Sequence, residues 1–341
     1  MTSQSNAPLP NGYQLQNYRI DKQLSRGGFS LVYRAYDEHN NLVAIKEYLP
    51  SALALRKDGY SVEASSDDCQ AVFRYGMRCF FEEGRALARI VHPNVVRVLN
   101  FFRANETVYM VMRYERGRTL QEQIQSHKDT INESFIRHVF GHLLNGLREV
   151  HTYKLLHLDI KPANIYLRAA DGSPVLLDFG AARQTLTRDS PKLNPMYTPG
   201  FAPPEQYQGL DLLGPWSDIY SVGASIFSCL AGVAPQSADA RLYEDKQESA
   251  KKIWHGQYSD ELLEIIDWCL RLDPQERPPS VFALQKVLIE EPKKVPEEPK
   301  KDLEEPKKDL EESKKDQEEP KKVRKKNFLM NLRETLGLGD R

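Results

Sequence analysis

Residues His157 to Asn164, reading HLDIKPAN, and the Asp178-Phe179-Gly180 that follows constrain this chain more than any other stretch. Three acidic or amide side chains, Asp159, Asn164 and Asp178, each stand near the end of a short apolar run: Leu155-Leu156, Ile165-Tyr166-Leu167 and Val175-Leu176-Leu177. Runs of this length read as strands. A carboxylate at a strand–loop junction is well placed for chemistry and poorly placed for core packing. The spacing suits phosphoryl transfer. One aspartate can accept a hydroxyl proton, and Lys161 can neutralise the moving group. Asn164 and Asp178 can hold magnesium through hard oxygen ligands.

The pattern H-x-D-x-K-P-x-N followed by D-F-G resembles the protein kinase family, in its bacterial, eukaryotic-like serine/threonine branch. The resemblance implies an α+β, two-lobed kinase fold, with a small β-rich N-lobe and a larger helical C-lobe. It implies ATP as donor and magnesium as metal, with manganese as a substitute. Asp159 and Lys161 would be catalytic, and Asn164 and Asp178 metal ligands. His157 reads as a packed anchor rather than a base. Lys161 sits where serine/threonine kinases differ from tyrosine kinases, implying a protein substrate with a Ser or Thr acceptor. Tyr166 stands where the family puts a residue beneath the adenine; it either stacks on the base or is a half-buried strand tyrosine.

One residue departs from the pattern. The family often has arginine where this chain has Leu158, and that arginine commonly pairs with a phosphorylated activation loop. Leucine has no donor for a phosphate, so activity is expected not to depend on such a clamp. The segment from Asp178 to Glu205 carries hydroxyls at Thr185, Thr187, Ser190, Tyr197 and Thr198. Thr198-Pro199-Gly200-Phe201 resembles the family's peptide-docking turn, which would bond Thr198 to Asp159 and Lys161. Pro203-Pro204-Glu205 replaces A-P-E, and Glu205 would pair with Arg277 in the later D-P-x-x-R-P. Asp218 would cap the backbone of the catalytic loop.

Upstream, YRIDKQLS, SLVYRAYD and NLVAIKEYL read as strands, with a turn at Glu38 to Asn41. Ser25 to Val32 resembles the kinase Gly-rich loop, but Ser25 and Ser30 occupy glycine positions. By resemblance Ser25, Gly27, Gly28, Val32 and Ala44 border the nucleotide, and Lys46 of VAIK meets its α- and β-phosphates. Glu83 precedes Pro93 of HPNVV by the family's spacing and is the expected partner of Lys46, in preference to Glu82; both fall in a helix expected over Phe80 to Ile90. Leu49 to Tyr75 reads as a decorated loop without an assigned role. Alignment to the family makes Met112 the gatekeeper and Arg113 to Glu115 the hinge, with Met112, Arg113 and Glu115 at the nucleotide.

Composition narrows the class. The 341 residues carry a formal net charge of −1 and are 40% hydrophobic, so charge gives no argument for nucleic acid. The four cysteines are scattered and fit a reducing cytosol. MTSQSNAPLPNG lacks the apolar core of a signal peptide, and no run approaches the roughly 18 apolar residues of a membrane span. A soluble, cytoplasmic protein is expected. Asn132 caps a helix whose Phe135, Ile136, Val139, Phe140, Leu143, Leu144, Leu147 and Val150 form one stripe. A helix apolar all round runs from Trp216 to about Ala231, ending at Gly232, and two more cover Glu261 to Leu270 and Val281 to Leu288.

The expected boundaries are a flexible N-terminus over 1–17, a kinase domain over 18–290 divided near 113/114, a linker over 291–326 and a short amphipathic segment over 327–341. The linker repeats EPKKDLE-like units. Recurring proline and too few apolar residues argue against a coiled coil and for an extended, charge-balanced, disordered tail. KKVRKK, next to Phe328, Leu329, Leu332 and Leu336, reads as a frayed tail, a docking segment for a partner protein or a contact with an anionic membrane surface. The leading functional expectation is a Ser/Thr protein kinase. The alternatives are a pseudokinase-like scaffold that binds nucleotide and partners through the tail, and a small-molecule kinase sharing the fold.

Overall fold

The computed structural model describes residues 6–179 and 197–290. The tail from residue 291 lies outside the described residues, as do Thr185, Thr187 and Ser190.

The N-lobe is built on strands Gln14–Leu15 (β1), Tyr18–Arg26 (β2), Ser30–Tyr36 (β3) and Leu42–Tyr48 (β4). A hairpin of Ala54–Arg56 (β5) and Val62–Ala64 (β6) follows, then helix Asp67–Leu87 (α1) and strands Val98–Ala104 (β7) and Thr107–Arg113 (β8). The main sheet is antiparallel in the order β1-β2-β3-β4-β8-β7. In β3, Leu31, Tyr33 and Ala35 face inward at every second position, the period of a strand with one buried face. The turn into β4 is held by Asp37, whose Oδ1 accepts from the backbone N–H groups of His39 and Asn41 at 2.9 and 2.8 Å.

Three expectations for this lobe are corrected. Residues 6–17 are not a flexible leader. Gly12, at φ +82°, turns the chain, and its N–H donates to the Ile20 carbonyl at 2.8 Å. This lays β1 against β2 and buries Leu9 and Leu15. Two leucines among Pro, Gly and Asn show no periodicity, so composition alone suggested a loose end. The stretch after Lys46 is likewise an ordered hairpin, not a decorated loop. Finally, α1 begins at Asp67, well before Phe80: Ser66-Asp67-Asp68, which resembles a turn, places acidic residues in the first helical turn, where they complement the helix dipole.

The C-lobe follows from Gly117–Thr119 (β9), Leu120–Ser126 (α2) and Glu133–Thr152 (α3). Asn132 Oδ1 caps α3 by accepting from Phe135 N–H at 2.9 Å, and the stripe from Ile136 to Val150 is buried as its spacing requires; Phe135 at its start is half-buried. Strands Ile165–Arg168 (β10) and Pro174–Leu176 (β11) join β9 in a small sheet, while Leu155-Leu156 forms no strand. Helices Pro204–Gln208 (α4), Pro215–Ala231 (α5), Ala238–Tyr243 (α6), Ala250–Trp254 (α7), Asp260–Cys269 (α8) and Val281–Ile289 (α9) complete the lobe. Helix α5 is buried on every side from Ser217 to Leu230 and stops at Gly232, at φ +82°. No helix among the described residues is long and apolar enough to cross a membrane.

Glu205 of α4 and Arg277, far apart in sequence, form a buried two-pronged ion pair at 2.8 and 3.0 Å. The remaining guanidinium donors reach the carbonyls of Arg271, Leu272 and Trp216. Arg277→Met is expected to strand the Glu205 carboxylate and lower unfolding free energy by about 3–5 kcal/mol. Urea unfolding followed by tryptophan fluorescence checks this; a loss under about 1 kcal/mol would contradict the pairing's importance.

Candidate active site

The loop after α3 is fixed by one carboxylate. Asp218, fully buried on α5, accepts the backbone N–H of His157 at 2.9 Å and of Leu158 at 2.8 Å. His151 Nε2 donates to the same carboxylate at 2.8 Å. Leu158 is left-handed at φ +62°, which a branched side chain adopts only when held there. Its carbonyl accepts from Gln206 Nε2 at 3.0 Å, so both of its backbone polar groups are fixed. His157 Nδ1 accepts from Asp159 N–H at 3.2 Å, which leaves Nε2 to donate to the Leu177 carbonyl at 2.8 Å. The imidazole is thereby committed as an anchor, tying the loop to the residue before Asp178.

Asp159 projects from this scaffold into a tight cluster. Its Oδ1 accepts from Lys161 Nζ at 3.0 Å and from Thr198 Oγ1 at 2.8 Å, and its Oδ2 from Asn164 Nδ2 at 2.9 Å. Lys161 also donates to Thr198 Oγ1 at 2.8 Å. The turn containing Thr198 therefore meets the catalytic loop through side chains. Asn164 donates as well to the Asp159 carbonyl at 2.9 Å.

A cavity of about 420 Å³ opens beside this cluster between β2, β3, β4 and β10. Ser25, Val32, Lys46, Glu83, Met112, Asn164, Tyr166 and Asp178 all line it. Lys46 Nζ bonds Asp178 across the cavity. Glu83 is buried on α1 and faces the same space, whereas Glu82 lies on the surface 3.7 Å from Arg85. Asp178 is left-handed at φ +57°. The Tyr166 hydroxyl is pushed above the usual tyrosine range, chiefly by burial. With the Asn164 nitrogen committed to Asp159, its remaining polar atom is an oxygen. That oxygen and the Asp178 carboxylate are the donor types magnesium takes, so the residues fit the metal.

Five residues expected at the nucleotide do not line this cavity. Gly27 and Gly28 turn elsewhere: the Gly28 and Phe29 carbonyls accept from the N–H groups of Ser51 and Leu49 at 3.0 and 2.9 Å. Ala44 is paired inside the sheet with Met112 and Arg34. Arg113 is exposed, and Glu115 is turned to Arg168 at 3.2 Å. Tyr114 lines the cavity between them, together with Leu24, Gly117, Thr119 and Glu122. Thr119 and Glu122 form a reciprocal cap at the start of α2, with Glu122 N–H donating to Thr119 Oγ1 and Thr119 N–H to Glu122. The T-x-x-E spacing signals this cap in sequence. Gly117, at φ +158°, cannot carry a side chain, because a Cβ would lie 1.9 Å from the Leu167 carbonyl oxygen.

With this geometry in view, similarity to known proteins is specific. The protein kinase domain family matches residues 18–289, and the chain belongs to that family. It is 29% identical over 82% of its length to the serine/threonine-protein kinase PknA of Nostoc sp., covering 49% of that protein. It is 30% identical over 80% of its length to the serine/threonine-protein kinase C of Synechocystis sp., again covering 49%. The chain thus spans about half the length of the curated relatives it matches. Among solved structures, "PpkA-294 apo form" shares 36% identity with a TM-score of 0.76, over 83% of this chain and 100% of that one. The PknI kinase domain of Mycobacterium tuberculosis, at 18% identity and a TM-score of 0.63 over 83% of this chain and 98% of its own, shares the fold.

Burial alone would raise the Asp218 carboxyl, but His151 and the loop N–H groups outweigh it and hold it below the usual carboxylate range. A depressed acid stabilises the fold above its unfolded value of about 4, and that stabilisation is lost as pH falls through the native value. Asp218→Asn turns an amide donor toward donors and is expected to cost about 1–3 kcal/mol for each orphaned N–H at neutral pH. The gap to wild type should shrink as pH falls below about 4. Urea unfolding across that range reads it; a gap independent of pH would refute the charge's role.

Proposed function

We propose that this chain transfers the γ-phosphoryl group of ATP to Ser or Thr hydroxyls of protein substrates. The observation that carries the reading is the Asp159 carboxylate, gripped by Lys161, Thr198 and Asn164 beside a cavity lined by Lys46, Glu83 and Asp178. A nucleotide would lie with its base near Tyr166, Tyr114 and Met112 and its phosphates toward Lys46. Magnesium, or manganese in its place, would be held by Asn164 and Asp178 and would neutralise charge on the phosphates.

The chain's own residues do the rest. Asp159 accepts the proton of the acceptor hydroxyl, and the bonds from Asn164 and Thr198 fix the direction of its lone pairs. Lys161, shared between Asp159 and Thr198, supplies positive charge where the transferring group develops negative charge. Because Thr198 sits in the turn that a peptide would meet, its bond to Asp159 couples acceptor docking to the base. That coupling favours a peptide acceptor over a small molecule. Lys46 orients the phosphates, and the buried Glu83 carboxylate lies in the same cavity. The basic and apolar segment from Lys321 onward supports, on sequence alone, a contact with a partner or an anionic surface.

Asp159→Asn keeps the shape and removes the base, and should lower transfer from labelled ATP to a generic basic protein by about 10²–10⁴-fold. Wild-type protein that binds ATP but transfers nothing with either metal would instead indicate a scaffold. Leu158 generates a second expectation. Its side chain is buried and offers no donor, while its backbone is already held by Asp218 and Gln206. Phosphatase-treated protein, verified by intact mass, should retain transfer within about threefold of untreated protein. Protein inert until phosphate is added to the segment before Glu205 would sink this.

A further inference from the structure

Alternation along β4 sends Lys46 to the cavity and its neighbour Glu47 to the opposite face, where it is completely buried. A buried carboxylate is retained only if several donors meet it. Glu47 Oε2 accepts from the Tyr33 hydroxyl at 2.7 Å and from Arg56 Nη2 at 2.5 Å, and Oε1 from the Tyr109 hydroxyl at 2.6 Å. Tyr33 and Tyr109 stand on β3 and β8, the strands flanking β4 on either side. Burial, reinforced by the Glu47 charge, pushes both hydroxyls above the ordinary tyrosine range, which keeps them donors.

Arg56 comes from the β5–β6 hairpin, and its side chain is 4% exposed. Its Nε donates to the Ala7 carbonyl at 2.8 Å, its Nη1 to the Tyr60 carbonyl at 3.0 Å, and its backbone N–H to Asn6 Oδ1 at 2.7 Å. The Tyr33 hydroxyl also accepts from Leu9 N–H at 3.2 Å. One carboxylate thus gathers both flanking strands, the inserted hairpin and the N-terminal segment at the position next to Lys46.

We infer that Glu47 and Arg56 are positioning residues for Lys46: through them the hairpin and the N-terminal segment set the roll of β4 and hence the aim of the lysine at nucleotide phosphates. This rests on the proposed reading of the cavity. It requires no transfer, so it is tested by binding.

Arg56→Met should weaken ATP binding, measured by calorimetry with magnesium present, about tenfold while leaving adenosine within about twofold, because only phosphates meet Lys46. Lys46→Met should show the same selective loss, and the double variant should bind ATP no more weakly than Lys46→Met alone. Arg56→Lys keeps the charge beside Glu47, should fold where Arg56→Met does not, and should lose ATP affinity selectively but less. Equal loss of ATP and adenosine, or additive losses in the double variant, would overturn the inference while leaving the site reading intact. Wild-type protein that binds adenosine as tightly as ATP would overturn the site reading and this inference with it.

Discussion

The Asp218 carboxylate is the constraint on which the catalytic loop depends. A single aspartate buried in an apolar helix would be a liability, yet it is met by two backbone N–H groups and one imidazole. Those bonds fix Leu158, a left-handed residue next to Asp159. A non-glycine residue at φ +62° costs about 1–3 kcal/mol and persists only where its surroundings over-determine it. Leu158 is over-determined, with its N–H on Asp218 and its carbonyl on Gln206. The side chain has no part in these bonds. This explains how arginine, common at this position in the family, can be replaced by leucine without loosening the backbone that presents Asp159.

The same physics recurs in three buried carboxylates, each joining distant segments. Asp218 ties α5 to the catalytic loop, Glu205 ties α4 to the Arg277 loop, and Glu47 ties the sheet to the hairpin and the leading residues. An ion pair of this kind adds little net stability over a well-packed apolar substitute, but removing one partner is costly. Its effect is therefore to specify an arrangement. In each case the arrangement specified contains a site residue or its immediate neighbour: Asp159 after Leu158, the turn of Thr198 before Glu205, and Lys46 before Glu47.

What was legible in sequence follows from how local each signal is. HLDIKPAN, VAIK and the paired Glu205 and Arg277 were readable because chemistry fixes residue type at short or recurrent spacing. The choice of Glu83 over Glu82 was readable from distance to HPNVV, and the structure puts Glu83 in the cavity and Glu82 on the surface. The N-terminal strand was not readable, because its burial depends on Leu9 and Leu15 finding a core built by residues much later in the chain. The β5–β6 hairpin was missed for a related reason. Its three-residue strands have too few positions to show a period, and the residue that anchors it, Arg56, looks like a surface arginine until Glu47 is seen beneath it. Tyr114 was passed over between Arg113 and Glu115 because hinge contacts leave little trace in side-chain identity.

The two lobes hold Asp159 and Lys46 by different means. Around Asp159 the side-chain hydrogen bonds come directly from Lys161, Asn164 and Thr198, on a backbone that Asp218 and Gln206 hold. Lys46 bonds Asp178 directly, and its strand is also gripped from the opposite face at Glu47. Both neighbouring strands and the hairpin grip one side chain, Glu47, on that far face. The N-lobe support therefore passes through residues 6–17, which precede the first residue of the family match, and through the hairpin between Lys46 and α1, which lies inside it.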